Sequence, residues 1–108
     1  MATVLAAGEA LPIDSLIALT PDGIASRILG KSKGGTLTLF AFDQGQSLSE
    51  HTAPFEAFVI VLDGQFRIVV EGRPAIAGAG TIVRLPASVP HAVDALTASR
   101  MMLVMLRE

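Results

Sequence analysis

The stretch GQSLSEHTAPFEAFVIVLDG, residues 45–64, carries His51, one of two histidines in the chain, and closes on an Asp63-Gly64 pair that reads as a tight turn. The second histidine, His91, lies in GTIVRLPASVPHAV, residues 80–93. Two imidazoles that meet in space can hold a metal ion. Whether these two meet depends on how the segments around them fold.

Turn-forming residues recur along the chain in GKSKGG, DQGQ, DG, EGRP, GAG and PASVP. They leave apolar segments of about five to ten residues between turns, the rhythm of an all-β sandwich or barrel. Residues 36–42 read as a strand. Residues 66–71 alternate, with Phe66, Ile68 and Val70 on one face and Arg67, Val69 and Glu71 on the other. Asp63-Gly64 between two such runs predicts a hairpin. The runs AFVIVL (57–62) and MMLVML (101–106) are apolar on both faces, and a strand of that kind needs cover on both sides. A short C-terminal helix over 101–106 is the alternative, because short apolar runs do not separate the two periods.

A length of 108 residues fits one domain that buries about 65% of its unfolded surface. Apolar residues make up 51% and charged ones 17%, more hydrophobic surface than so small a domain hides alone. A homodimer is therefore expected, with the outer face of the doubly apolar strands against a second copy. The formal net charge of -2 and the lack of a Lys/Arg cluster argue against nucleic acid as a partner. The absence of cysteine excludes disulfides, Cys-zinc sites and a thiol nucleophile, and fits a cytoplasmic protein. No basic n-region opens the chain, and no apolar run approaches the roughly 18 residues of a membrane span. The reading is a soluble, unprocessed protein without a membrane partner.

Two spacings now stand out. Gly45 is followed after five residues by His51, and Gly64 lies further along; Gly80 is followed after five residues by Pro86, and then by His91. This resembles the cupin superfamily, whose small RmlC-like barrels carry the motifs G-x5-H-x-H-x3-E-x6-G and G-x5-P-x-G-x2-H-x3-N. The motifs cover about half of the chain and match in order, spacing and separation. The resemblance implies a double-stranded β-helix, or jelly roll, as one domain over residues 1–108. Residues 1–22 would form a lead-in with the first strand, and residues 23–108 the barrel. It also implies that His51 and His91 point inward and meet.

The departures bear on function. Ala53 stands at the second histidine of the first motif, Ala57 at its glutamate, Ser88 at the glycine of the second motif and Ala95 at its asparagine. Half of the family's four-ligand set is missing, and catalytic metal sites generally use three protein ligands. Glu56 is the nearest carboxylate. Its position is one off the motif, and strand parity turns it away from the face of His51 unless Pro54 introduces a bulge that shifts the register. Gln44, Gln46, Ser47 and Ser49 are weaker candidates. The expected metal-contacting residues are thus His51 and His91, with Glu56 as the conditional third. The expected pocket is His51 and His91 with Phe40, Phe42 and Met105, drawn from a wider set of Phe55, Phe58, Phe66, Met101 and Met102 that otherwise serves as core.

Arg27, Arg84 and Arg100 sit in strand-like segments and read as an outward polar face, although an inward arginine would suit an anionic ligand. The chain lacks a G-x-S-x-G element and a phosphate-cradling G-x-x-x-x-G-K loop. Three functions follow from the resemblance. One is a small-molecule-binding or sensing module with a reduced two-histidine pocket. Another is a dioxygenase- or isomerase-type enzyme in which iron, manganese, nickel or zinc acts as Lewis acid or template. The last is metal-free acid–base catalysis of the sugar-epimerase type, which needs a carboxylate beside a histidine.

Overall fold

The computed structural model describes residues 5–107. One 3-10 turn, Ile13–Ser15, precedes strands β1 (Ile24–Ser32), β2 (Gly35–Phe42), β3 (Ser47–His51), β4 (Glu56–Asp63), β5 (Gln65–Val70), β6 (Arg73–Gly78), β7 (Ile82–Leu85), β8 (His91–Ala95) and β9 (Ser99–Leu106). Every strand pairing is antiparallel. Five strands form one sheet in the order β1-β2-β9-β4-β7, and four form the other in the order β3-β8-β5-β6. This is the jelly-roll barrel. Among the described residues no helix is long and apolar enough to cross a membrane.

The two runs that do not alternate become β4 and β9, hydrogen-bonded neighbours inside the five-stranded sheet. The segment 101–106 is a strand and not a helix, because both of its edges are taken by β2 and β4. Each of these strands faces apolar surroundings on both sides. Inward, Val59, Val61 and Met101 join Phe42, Phe66, Ile68 and Val93 in the main core. The rings of Phe42 and Phe66 meet edge to face at 5.1 Å and 82°, a geometry that adds roughly 0.5–1.5 kcal/mol beyond area burial. Outward, Leu39, Ala41, Leu62 and Met102 pack under Leu5, Ile13, Leu16 and Ile17 of the lead-in.

Two arginines hold that lead-in down. Arg27 donates to the carbonyl of Leu16 at 2.9 Å, and Arg100 donates to the carbonyl of Ile17 at 3.1 Å while pairing with Asp63 at 2.9 Å. Both lie on the outer face, as strand parity predicts. Residues 5–22 contain no strand, so the first strand lies at Ile24–Ser32, in the barrel segment and not in the lead-in. Pro12 and Pro21 in the lead-in lack the N–H that a ladder needs.

The Asp63-Gly64 pair does not make the expected hairpin. β4 and β5 belong to different sheets, so the chain turns a corner between them. Local turn chemistry is satisfied either way; the partners decide. Asp63 accepts from the Arg100 backbone N–H at 2.8 Å, and the Gln65 N–H donates to Ser99 Oγ at 2.9 Å and to Thr97 Oγ1 at 3.1 Å. Both sides of the turn are thus tied to the β8–β9 connection. Gly64 has φ +75° and its backbone sits so close to Ser99 and Ala98 that a Cβ would overlap them, with Ser99 Cβ at 2.6 Å and the Ala98 carbonyl oxygen at 2.7 Å. Gly45 has φ +82° with open space around it.

The two glycines therefore respond differently to the same change. Gly64→Ala adds steric overlap to the left-handed backbone penalty and lowers stability by more than about 3 kcal/mol. Gly45→Ala meets the backbone penalty alone, about 1 kcal/mol. Urea unfolding of the two variants beside the parent checks the difference, and equal losses would contradict it.

Candidate functional site

β3 and β8 pair so that His51 and His91 are direct Cα partners at one end of the four-stranded sheet. A register irregularity between Leu48 and His51 adjusts the ladder just before the histidine. The loops that carry the two motifs are joined by a bond from the Ser88 N–H to the Ala53 carbonyl at 2.7 Å. Ser88 has φ +61°, so the position where the motif has glycine adopts the left-handed conformation even with serine in place. The sequence departs from the motif here while the backbone keeps the turn.

The imidazoles meet edge to face, with centroids 4.4 Å apart, and the two Nε2 atoms lie 3.2 Å from each other. Each Nδ1 faces a backbone carbonyl two residues back: His51 that of Ser49 at 2.9 Å, and His91 that of Val89 at 3.1 Å. A carbonyl only accepts, so each Nδ1 must carry the proton and donate it. Both Nε2 atoms are then lone-pair donors turned toward each other, an arrangement that a cation between them would satisfy. A metal bound at about 2.0–2.1 Å with a tetrahedral angle separates two ligand nitrogens by about 3.3 Å. The observed 3.2 Å fits that separation, and carbonyl bonds to the far nitrogens are what orient metal-ligating histidines. The pair therefore suits a metal ion and leaves at least two positions for water or a ligand.

Behind the histidines lies a cavity of about 70 Å³, room for about two waters at liquid density. Leu48, Ala53, Phe55, Ala57, Val59, Leu85, Val93, Met101, Leu103 and Met105 line it together with His51 and His91. Among the described residues the lining holds no Asp, Glu, Lys or Arg. Among the described residues no group of three or more His, Cys, Asp or Glu side chains is placed to hold a metal. Ala53 and Ala57, at the positions of the missing ligands, do face the cavity, and the place of each missing ligand is taken by a methyl group.

The expected site residues divide accordingly. His51, His91 and Met105 line the cavity, whereas Phe40 and Phe42 do not. Both phenylalanines belong to the inward core, but they stand on β2, which supplies none of the lining: Phe40 is the Cα partner of Met101, itself a lining residue, and Phe42 pairs with Ser99, toward the Gly64 corner. Strand parity identified the face without identifying which strands border the cavity. Glu56 lies outside the cavity: it forms an ion pair with Arg84 and accepts from the Ala87 N–H at 3.3 Å. Pro54 stands in the β3–β4 loop and not within a strand, so no bulge there turns Glu56 inward. The hydrogen bond from Arg84 holds the Glu56 carboxyl below its ordinary range, with the Ala87 N–H adding to it against partial burial. The sequence pattern does not single out Leu48, Val59, Leu85, Val93 or Leu103 as lining. For Val59 the signal was present, because parity with Ala57 puts it on the same face.

The sequence matches the model of the cupin domain over residues 38–107. The chain belongs to the cupin family. As a cupin it is similar to the solved structure of a conserved protein of unknown function from Streptococcus pyogenes, at 27% identity and a TM-score of 0.91, covering 96% of this chain and 91% of that one. A cupin superfamily protein from Desulfitobacterium hafniense shares the fold over 100% of this chain and 99% of that one, with a TM-score of 0.92 and 23% identity. A cupin 2 conserved barrel domain protein from Leptotrichia buccalis is 35% identical with a TM-score of 0.82, over 86% of this chain and 45% of that one. A search among curated proteins finds no match.

His91 is 6% exposed, and burial pushes its imidazole below the ordinary value of 6.5; the bond to the Val89 carbonyl opposes this and the neighbouring His51 reinforces it. A base whose folded pKa is depressed binds its proton more readily in the unfolded chain. Its contribution to stability is complete above about 6.5 and is lost as pH falls from there through the depressed value. The metal-free parent should lose thermal stability between pH 7 and pH 5. In His91→Asn, which keeps a donor for the Val89 carbonyl, the loss over the same window should shrink. Identical pH profiles for the two would contradict the assignment.

Proposed function

We propose that this cupin is a small-molecule-binding module in which a metal ion held by His51 and His91 anchors a compact neutral ligand inside the apolar cavity. One observation carries the reading: both Nδ1 atoms are committed to backbone carbonyls, so both Nε2 lone pairs, 3.2 Å apart, converge on one point. The absence of charge from the lining supports a neutral ligand over a sugar phosphate or dicarboxylate, because an unpaired anion in apolar surroundings is strongly disfavoured. The volume of about 70 Å³ limits the enclosed part to about three heavy atoms, since an apolar cavity of about 150 Å³ holds a benzene ring. When bound, the metal supplies a Lewis-acidic centre that polarises or orients the ligand. The residues of the chain exclude water, fix the two imidazoles and set the size limit. Epimerase-type acid–base chemistry has less support, since no carboxylate lines the cavity beside a histidine.

Metal content tests the reading. Protein prepared without a histidine tag or chelator and incubated with iron, manganese, nickel, zinc or copper should retain about one ion per chain after desalting, by elemental analysis. His51→Ala and His91→Ala should each abolish retention, and Glu56→Ala should leave it unchanged. A parent that retains none of these ions would overturn the proposal.

A second copy of the chain is the partner we propose for the outer face of β9, β4 and β7. Phe58, Ile60 and Val104 lie there half-buried, clear of the lead-in, while Ile82 is 62% and Leu106 49% exposed. So many apolar side chains on one sheet face exceed what a monomer usually leaves to water. Analytical ultracentrifugation should show a dimer for the parent and a monomer for Ile82→Asp, a change at an exposed position that leaves the core intact. A monomeric parent would remove the proposal.

A further inference from the structure

The two histidines leave coordination positions open for a further ligand, and the carboxylate position of the motif holds Ala57. Across the β4–β9 ladder the Cα partner of Ala57 is Met105. Both residues line the cavity together with His51 and His91, so the space next to the absent carboxylate is bordered by a thioether on a flexible, unbranched side chain. Met101, also in the lining, pairs with Val61 two steps deeper along the same ladder.

The donor set is then soft and wholly neutral. Two imidazoles and a thioether bring no negative charge, and no Asp or Glu lines the cavity to supply any. With no carboxylate to offset a second positive charge on the ion, such a donor set favours a monovalent ion over a divalent one. Thioether ligands select Cu(I) among the first-row metals, whereas carboxylate ligands suit harder ions. Replacing glutamate by alanine opposite a methionine changes the site in both respects together.

We propose that Met105 Sδ is the third ligand of the His51–His91 site, and that the completed two-imidazole, one-thioether site takes Cu(I) in preference to Zn(II) and the other divalent ions. This rests on the two-histidine metal reading above. Binding involves no redox step: the ion enters as Cu(I), the two Nε2 atoms and the thioether sulfur each donate a lone pair, and both Nδ1 protons stay on their carbonyls.

The full chain, freed of metal, is titrated anaerobically with Cu(I) against the chromophoric Cu(I) chelator bicinchoninate, and separately with Zn(II) against a zinc-responsive dye. The parent should bind one Cu(I) per chain more tightly than Zn(II). Met105→Leu keeps the side-chain volume, and circular dichroism verifies its fold. Its loss of Cu(I) affinity should be at least the roughly 10–100-fold that changes outside the direct ligand set produce, with Zn(II) affinity little altered. Met101→Leu should keep the sulfur scatterer, and Met102→Leu, outside the cavity under the lead-in, should bind both ions as the parent does. Copper K-edge absorption should show a sulfur scatterer in the parent and only nitrogen or oxygen scatterers in Met105→Leu.

Equal Cu(I) affinity in the parent and Met105→Leu, or loss of the sulfur scatterer in Met101→Leu instead, would overturn the role of Met105 while leaving the histidine site intact. Zn(II) binding tighter than Cu(I) would overturn the soft-site assignment. Failure of the parent to bind any of the metals would remove both this inference and the two-histidine reading on which it rests.

Discussion

Between Asp63 and Gln65 the chain leaves the five-stranded sheet and enters the four-stranded one, and the close approach of Gly64 to Ser99 makes that step possible. A side chain at position 64 would hold the two connections apart. The Asp63 carboxylate on Arg100 and the Gln65 N–H on Ser99 and Thr97 then bind the corner from both sides. With β4 and β5 in separate sheets, Phe66 and Ile68 face Val59 and Val61 across the core. Had the same two residues made a hairpin, β4 and β5 would share one sheet and the barrel would have no interior.

The family's motif positions at 53 and 57 hold methyl groups, and among the described residues the two imidazoles are the only nitrogen- or oxygen-bearing side chains at the cavity. They stay together because their own strands pair directly and because each ring is oriented by a carbonyl from its own chain segment. The desolvation that depresses the proton affinity of His91 also favours the unprotonated form that a metal requires. Burial and ligand chemistry thus act in the same direction at this site. The charged side chains on the strands are instead spent outside, where Arg27 and Arg100 secure the lead-in and Arg84 engages Glu56.

The outer face shows how a doubly apolar strand finds its second cover. Part of that cover comes from within the chain, as Leu5, Ile13, Leu16 and Ile17 lie over Leu39 and Met102. It stops short of β7 and the far end of β9, where Ile82 and Leu106 remain open. The composition signalled excess hydrophobic surface, and the lead-in accounts for a share of it.

Strand class was legible in the sequence wherever a period of two met turn residues on both sides: 66–71 in alternation, 36–42 in β-branched and aromatic content. The motif spacing around His51 and His91 led to the barrel, and parity alone turned Glu56 outward, because side-chain direction in a regular strand follows from position by covalent geometry. Other features depend on contacts between segments distant in the chain. Asp63-Gly64 satisfies the chemistry of a hairpin and of a corner equally, and Ser99, Thr97 and Arg100 settle which one forms. Phe40, Phe42 and Met105 share an inward face, and only the order and register of β2, β9 and β4 separate Met105, on a strand that borders the cavity, from the two phenylalanines of β2. The residue types present, and the face each occupies, are local properties that a sequence carries. The level of each residue along the barrel, and hence its membership of the site, is set by inter-strand pairing, which no single segment encodes.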